Sequence, residues 1–236
     1  MESSVSIFNS KKPFILMGII SLASVSFMAP AVEVIPIIKQ IKIDTPRDNY
    51  ITIKSSFPAS SDKEQYEFVS LDLFMIKNPG ESKEDLEKEL GKAEPTLLFS
   101  PTKVMIPYGS QKKIRIMTMK PVEKEQVYRL RVRPTYPEDA VDPGKVRFAI
   151  GYDVLVRYMP NGTLTQDLKV NCSGGNYQLE SQGNSRSEMR NVTIDGVKSE
   201  DINVYPVHIR KVKARNELSF ELDGKKYRYV ACALKE

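Results

Sequence analysis

Apolar and polar positions along this chain alternate mostly with a period of two. The pattern is longest in VRFAIGYDVLVRYMP (146–160), where Val146, Phe148, Ile150, Tyr152, Val154, Val156 and Tyr158 occupy every second position. Strict alternation places such residues on one face of a β-strand. Further strands are predicted at Val34 to Ile43, in YITIKSS (50–56), in YEFVSLDLFMIKNPG (66–80) and in VYRLRVRP (127–134), which alternates in both phases. Pro36 interrupts the first of these and suits an edge strand or its start, since proline has no N–H for a ladder. Residues 96–119 predict two more strands, with Pro101 and Pro107 flanking TKVMI. Only SKEDLEKELGK (82–92) has helical spacing, with Glu84 and Lys88 placed four apart. It predicts a short surface helix or a mobile loop, because two or three turns alone are marginal.

Many short strands separated by Pro/Gly turns predict an all-β sandwich or barrel. TYPEDAVDPG (135–144) is a loop, and Pro160 followed by Asn161-Gly162 ends the long stripe and marks a domain junction. The chain then divides into 32–160 and a smaller domain, 161–236. The second part holds LKVNC, NYQLES, NVTIDG, VYPVHI, ELSFEL and KKYRYVACAL, and Asp223-Gly224 predicts a type I′ hairpin between the last two. At the start, Lys11 and Lys12 precede the apolar run PFILMGIISLASVSF, too short for a usual membrane span, and Ala29-Pro30-Ala31 fits small-x-small cleavage. Residues 1–31 therefore read as a secretory signal peptide cut after Ala31, with a retained anchor as the competing reading.

Composition narrows the function classes. The formal net charge is +5, with acids interspersed, and tryptophan is absent. That favours acidic surfaces without specifying nucleic acid, and the interleaved basic and aromatic residues of single-strand binders are missing. The basic run HIRKVKAR (208–215) reads as a solvated strand face, with an interaction patch as the alternative. Cys172 and Cys232 form an even pair, which in an exported chain favours a disulfide. The bridge would close a loop of roughly 60 residues and contribute about 4 kcal/mol by the chain-entropy model. It would tie together the ends of a domain with a thin core. One histidine, His208, and two distant cysteines make no metal cluster. No nucleophile–base arrangement or phosphate loop stands out, and no cofactor is implied. The chain does not read as an enzyme.

The long stripe asks for an explanation. Its seven positions would extend over about 43 Å, whereas a strand of a small domain has ~5–6 residues. Either the strand passes between sheets, or part of it lies at an edge and awaits a partner.

NPG (78–80), LLFSPTKVMIPYGSQKKIRI (97–116), EKEQVYRLRVRP (123–134) and the stripe ending in RYMP resemble the periplasmic chaperones of the chaperone–usher pathway. The likeness is greatest to the alternative branch, which serves colonisation-factor pili. It covers most of 34–160, and the second domain only by layout. The resemblance implies an L-shaped, PapD-like pair of immunoglobulin-like domains in the periplasm. Partners would be pilus subunits with an incomplete immunoglobulin fold and an outer-membrane usher, with no nucleic acid. The last long strand of the first domain, 146–156, would be donated to the subunit's groove, a β-augmentation. Val146, Phe148 and Ile150 are expected to fill the groove, with Tyr152 and Val154 extending the match or returning to the chaperone's own core. The family also anchors a subunit's C-terminal carboxylate with two basic residues, for which Lys39, with Lys42 as rival, and Arg157 are the candidates here. The classical pattern has a lysine where this chain has Leu155. Self-association of the free protein is one way to cover the stripe. The alternative reading is a secreted structural sandwich, such as a pilus subunit or an adhesin.

Overall fold

The computed structural model describes residues 32–59, 65–135 and 150–235. The leader, Val146 and Phe148 lie outside these. Among the described residues every regular element is a strand except a short 3-10 turn, Pro46–Asp48.

Residues up to Tyr158 form one sandwich. Its four-stranded sheet runs in the order β1 (Glu33–Ile35), β3 (Tyr50–Lys54), β8 (Gln111–Thr118), β6 (Leu97–Ser100). The facing sheet runs β2 (Ile38–Ile41), β10 (Tyr152–Tyr158), β9 (Gln126–Thr135), β4 (Tyr66–Ile76), β5 (Leu86–Lys88), with β7 (Lys103–Pro107) also paired to β4. The period-two pattern explains the core. Ile51 and Ile53, Ile114 and Ile116, Leu71 and Leu73, Leu130 and Val132, and Val154, Val156 and Tyr158 all point between the sheets and are buried. The Tyr158 hydroxyl finds a partner inside, donating to the Lys120 carbonyl at 2.7 Å.

Two expectations are corrected. Residues 96–119 make three strands, because the chain changes sheets at Pro101, leaving β6 for β7. Pro36 similarly stands between β1 and β2, which belong to different sheets. Prolines suit these crossings, since they have no N–H for either ladder. Segment 82–92 forms no helix. Leu86–Lys88 pairs with β4, and the flanking Lys77 and Glu89 amides donate to Asp85 and Leu73 carbonyls at 2.8 and 2.9 Å. Glu84 bonds Arg129 rather than Lys88, whose amine meets Asp72 at 2.7 Å. Charge pairs along an isolated helix contribute only a few tenths of a kcal/mol, ~0.2–0.5 each. The open edge of β4 supplies backbone partners instead. The buried Glu89 carboxylate also accepts the Thr96 and Leu97 amides and the Lys92 ammonium, anchoring the turn that follows.

The second sandwich packs a three-stranded sheet, β11 (Leu168–Ser173), β12 (Asn176–Ser181), β16 (Ile209–Lys213), over a larger one. The larger sheet runs β14 (Val197–Lys198), β13 (Ser187–Ile194), β17 (Glu217–Leu222), β18 (Lys225–Val230), β19 (Ala233–Lys235), with β15 (Ile202–Val204) also on β13. Tyr177, Leu179, Met189, Val192, Leu218 and Phe220 are central to its core. Asp223 and Gly224 both take positive φ, 49° and 73°, as the predicted type I′ turn requires. Cys172 of β11 and Cys232 of the β18–β19 turn are joined in a disulfide, Cα–Cα 5.3 Å.

Candidate functional site

The site is built on β10. This strand pairs antiparallel with β9 along its whole length, from Tyr152 opposite Val132 to Tyr158 opposite Gln126. On its other side β2 runs parallel to it, but only over 155–158, beginning where the Leu155 amide donates to the Ile37 carbonyl at 2.9 Å. Among the described residues, 152–154 therefore have a ladder partner on one side only. β2 starts late because the chain spends 33–35 in the other sheet before crossing at Pro36. Ile35, Ile37 and Ile38 border the open edge and are about half exposed, as is Ile150.

The stripe divides along its length. Val154, Val156 and Tyr158 have essentially no exposure and belong to the first core, and Tyr152 packs partly against it. Ile150 is 48 % exposed and lies outside any strand. The change comes where β2 stops covering β10.

The opposite phase has a different use. Val127 and Arg129 of β9, with Glu125 just before it, share the face away from the core, and on β10 so do Leu155 and Arg157. This face meets the second sandwich. Ile76 and Val127 are buried with Tyr205, and Leu86 and Leu155 pack beside them. Arg157 is buried and paired bidentately with the buried Glu125, Nε to Oε1 at 2.6 Å and Nη2 to Oε2 at 3.0 Å. Glu125 Oε2 also accepts the Arg186 amide at 2.8 Å, and the Glu125 amide donates to the Asn184 carbonyl at 2.8 Å. One carboxylate thus holds β10 to the second sandwich. The Asn184 loop is itself stitched to the linker, with Asn184 Oδ1 accepting the Thr165 amide and its Nδ2 donating to Thr163. Gly183 permits that approach, since a Cβ there would lie 2.2 Å from the Thr165 carbonyl oxygen.

The structure does not bring Lys39 and Arg157 together. In the parallel ladder Lys39 stands opposite Val156, and Arg157 opposite Gln40. Neighbouring positions of a strand point to opposite faces, so the two side chains leave the sheet on different sides. The carboxylate that Arg157 meets is Glu125 of its own chain. Lys42, the rival of Lys39, uses its backbone to bind Asn49, whose side chain accepts the Lys42 amide and donates to its carbonyl.

Between the sandwiches lies a cleft of about 590 Å³, whose lining includes Arg129, Leu155, Tyr205, Arg210, Lys211 and Lys213. Arg129 is held bidentately by Glu84, which keeps its guanidinium pKa raised. Arg210 reaches Glu81 of the first sandwich at 3.5 Å. From HIRKVKAR, then, Lys211 and Lys213 stay exposed while Arg210 joins the junction. His208 is half-buried nearby, and burial lowers its pKa. Among the described residues no group of three or more His, Cys, Asp and Glu side chains is placed to hold a metal ion, and no helix is long and apolar enough to cross a membrane.

Sequence reading missed Glu125 as the centre of the joint. Glu123 and Glu125 look alike in EKEQ, yet the first is exposed and the second buried. The available signal was the double alternation of VYRLRVRP, which implies that both faces of that strand are used.

No family model matches the chain. It is 26 % identical over 142 residues to a CFA/I fimbrial subunit of Escherichia coli, covering 56 % of this chain and 58 % of that one. It is 29 % identical over 149 residues to a CS1 fimbrial subunit of Escherichia coli, covering 60 % and 59 %. The chain thus spans somewhat under two thirds of the length of these curated relatives. Among solved structures it is similar to the class 5 fimbriae chaperone CfaA, with a TM-score of 0.65, 21 % identity and coverage of 87 % of this chain and 99 % of that one. It also matches a chain from a chaperone–tip adhesin complex of CFA/I fimbriae biogenesis, with a TM-score of 0.64, 20 % identity and coverage of 86 % and 98 %. Two β-sandwiches joined through a shared face, matched along nearly the whole of these solved chains, give this protein the immunoglobulin-like two-domain fold of the chaperone–usher pilus chaperones.

Proposed function

We propose that the protein is a periplasmic chaperone that captures pilus subunits by strand donation and passes them to an outer-membrane usher. One observation carries the reading: among the described residues β10 has a ladder partner on one side only at 152–154, and the apolar stripe of the sequence continues back through Ile150 to Phe148 and Val146. An incomplete sandwich adding its own strand there would satisfy both sets of backbone groups. Val146, Phe148 and Ile150 fill the partner's pockets, each contributing about 1.5–3 kcal/mol on full burial, less the cost of association. Tyr152 marks the transition, and Val154 serves the protein's own core. The CFA/I complex, described as one of chaperone and tip adhesin, supports the same kind of partner. Lys39, on β2, is the proposed basic anchor. Arg157 would have to leave Glu125 to take a second carboxylate.

The test is co-expression with candidate pilus subunits and recovery of a one-to-one periplasmic complex. Phe148→Asp and Ile150→Asp should abolish the complex while the protein remains folded. Unfolding of these variants, or incorporation of the chain into fibres as a stoichiometric component, would overturn the reading.

A further inference from the structure

Asn161-Gly162 is the one Asn-Gly pair of the sequence. It is exposed and follows directly on the buried Met159 and Pro160. Both of its flanks are fixed. The Met159 amide donates to the Ile41 carbonyl at 3.0 Å, and the Thr163 carbonyl accepts Asn184 Nδ2 at 3.0 Å. Among the described residues, neither the Asn161 side chain nor the Gly162 amide has a hydrogen-bond partner. Gly162 holds φ 79°, and apart from its chain neighbours no atom lies within 4 Å of where its Cβ would be. Other asparagines are held differently. Asn49 is buried and bonded to Lys42, and Asn78 precedes a proline, which has no N–H. The Ser185 amide after Asn184 donates to the Thr165 carbonyl at 3.2 Å, and the Glu217 amide after Asn216 donates to Asp195 Oδ1 at 2.9 Å. Asn171, Asn176 and Asn203 lie within β11, β12 and β15, and Asn191 precedes the branched Val192.

An asparagine side-chain carbonyl carbon is an electrophile within reach of the next backbone nitrogen. Once the Gly162 N–H has given its proton to hydroxide, the nitrogen attacks Asn161 Cγ and a C–N bond forms. The Cγ–Nδ2 bond breaks and ammonia leaves, which closes a five-membered imide. Water then opens the ring at either carbonyl, giving aspartate or isoaspartate. The net change is one water consumed and one ammonia released, with no oxidant, metal or enzyme in the balance. A side chain on the second residue hinders ring closure, and a hydrogen bond to its amide holds the nitrogen back. Glycine removes the first obstacle and the free amide of Gly162 the second.

We propose that Asn161-Gly162 is a site of spontaneous deamidation, and that its isoaspartyl product loosens the joint between the sandwiches. Isoaspartate carries the main chain through Cγ, which adds one methylene to the backbone between two fixed points. The extra length has to be absorbed next to Thr163 and Thr165, both of which are bound by Asn184. The Asn184 carbonyl in turn accepts the Glu125 amide, so the strain reaches the residue at the centre of the joint. The aspartyl product adds a negative charge but leaves the backbone length as it was. The linker thus carries a slow chemical mark of the chain's age, whatever partner the protein binds.

Two arms test the site. In the first, the intact protein is kept in mildly alkaline buffer and sampled over days. Trypsin releases residues 158–169, a peptide in which Asn161 is the single asparagine. That peptide should gain one mass unit and split into two chromatographic products, at least tenfold faster than any other asparagine-bearing peptide converts. Hydroxylamine, which attacks the imide, should cleave the folded chain after residue 161. An unchanged peptide, a faster conversion elsewhere or an uncut chain overturns the site. In the second arm, the isoaspartyl protein is separated and its hydrogen exchange compared with that of fresh protein and of Asn161→Asp. The Thr165 and Glu125 amides should exchange at least threefold faster in the isoaspartyl form and at the fresh rate in Asn161→Asp. The fresh rate in the isoaspartyl form overturns the loosening of the joint. Equally raised exchange in Asn161→Asp assigns the effect to the charge and overturns the backbone account.

Discussion

The two sandwiches use similar strand patterns but are held together differently. The first gathers 19 buried residues into one core among the described residues and contains no cysteine. The second has a core of 10, and adds a disulfide and aromatic packing of Phe220 against Tyr227 and Tyr229. A short domain buries a smaller share of its surface, so a cross-link that restricts the unfolded chain has more relative effect there. The first sandwich can leave one edge of β10 open because its own core is ample. The second closes its last hairpin through Cys232, although Ala231 and Cys232 both hold positive φ, 48° and 68°, an unfavourable region for non-glycine residues.

The joint between them should be the most sensitive point. Arg157→Leu leaves Glu125 buried without its cation, and loss of one partner of a buried pair costs about 3–5 kcal/mol. Thermal melts should show a large loss, and limited proteolysis should cut within 161–167. Replacing both partners should cost less, though it would still orphan the Arg186 amide. A resistant single variant would mean that the sandwiches are joined mainly by Tyr205 and its apolar neighbours.

Removing the disulfide separates the two domains by stability. Cys172→Ala/Cys232→Ala should lose about 4 kcal/mol from the second sandwich. Hydrogen exchange should rise in β11 and β17–β19 and stay unchanged in β3, β4 and β8. Equal loosening of both would show one cooperative unit.

Within the stripe, Val154→Ala should destabilise the first sandwich by roughly 1–3 kcal/mol through a cavity. Ile150→Asp should change stability by less than about 0.5 kcal/mol, as exposed substitutions do. Denaturant titration of both variants checks whether the boundary between core and exposed positions lies at Tyr152.

The smallest effect concerns pH. Asp195 accepts backbone N–H bonds from Glu217, Asn216 and Arg215, which lower its pKa below the usual 3.8. A carboxylate lowered by folding contributes stability above its unfolded pKa and loses it as pH falls through the folded one. The Asp195 contribution should therefore be whole at neutral pH and disappear only below about pH 4. Asp195→Asn should flatten this part of the acid limb of a stability–pH profile for the second sandwich.

Most strands were legible because alternation is a local property. Residues 66–76 and 127–134 read correctly as β4 and β9, the Asp223-Gly224 turn followed from local chemistry, and the cysteine pair from the expectation of an exported chain. Segment 82–92 was misread because its helical charge spacing was local, while the edge of β4 that captured it was not. That Lys113 meets Tyr50 could not be read from IRI-type alternation, since Tyr50 lies 63 positions away and Lys39, over the same ring, comes from the other sheet.

By itself the sequence determined an all-β chain and an apolar stripe too long for one small core. Those features depend on which side of a strand each residue occupies, and period two settles that. Only the tertiary structure decided where β2 stops covering β10, that Arg157 is claimed by Glu125 at the joint, and that two lysines meet over Tyr50. Each of these depends on which strands become neighbours, and neighbours across a sandwich are set by packing between residues far apart in the chain.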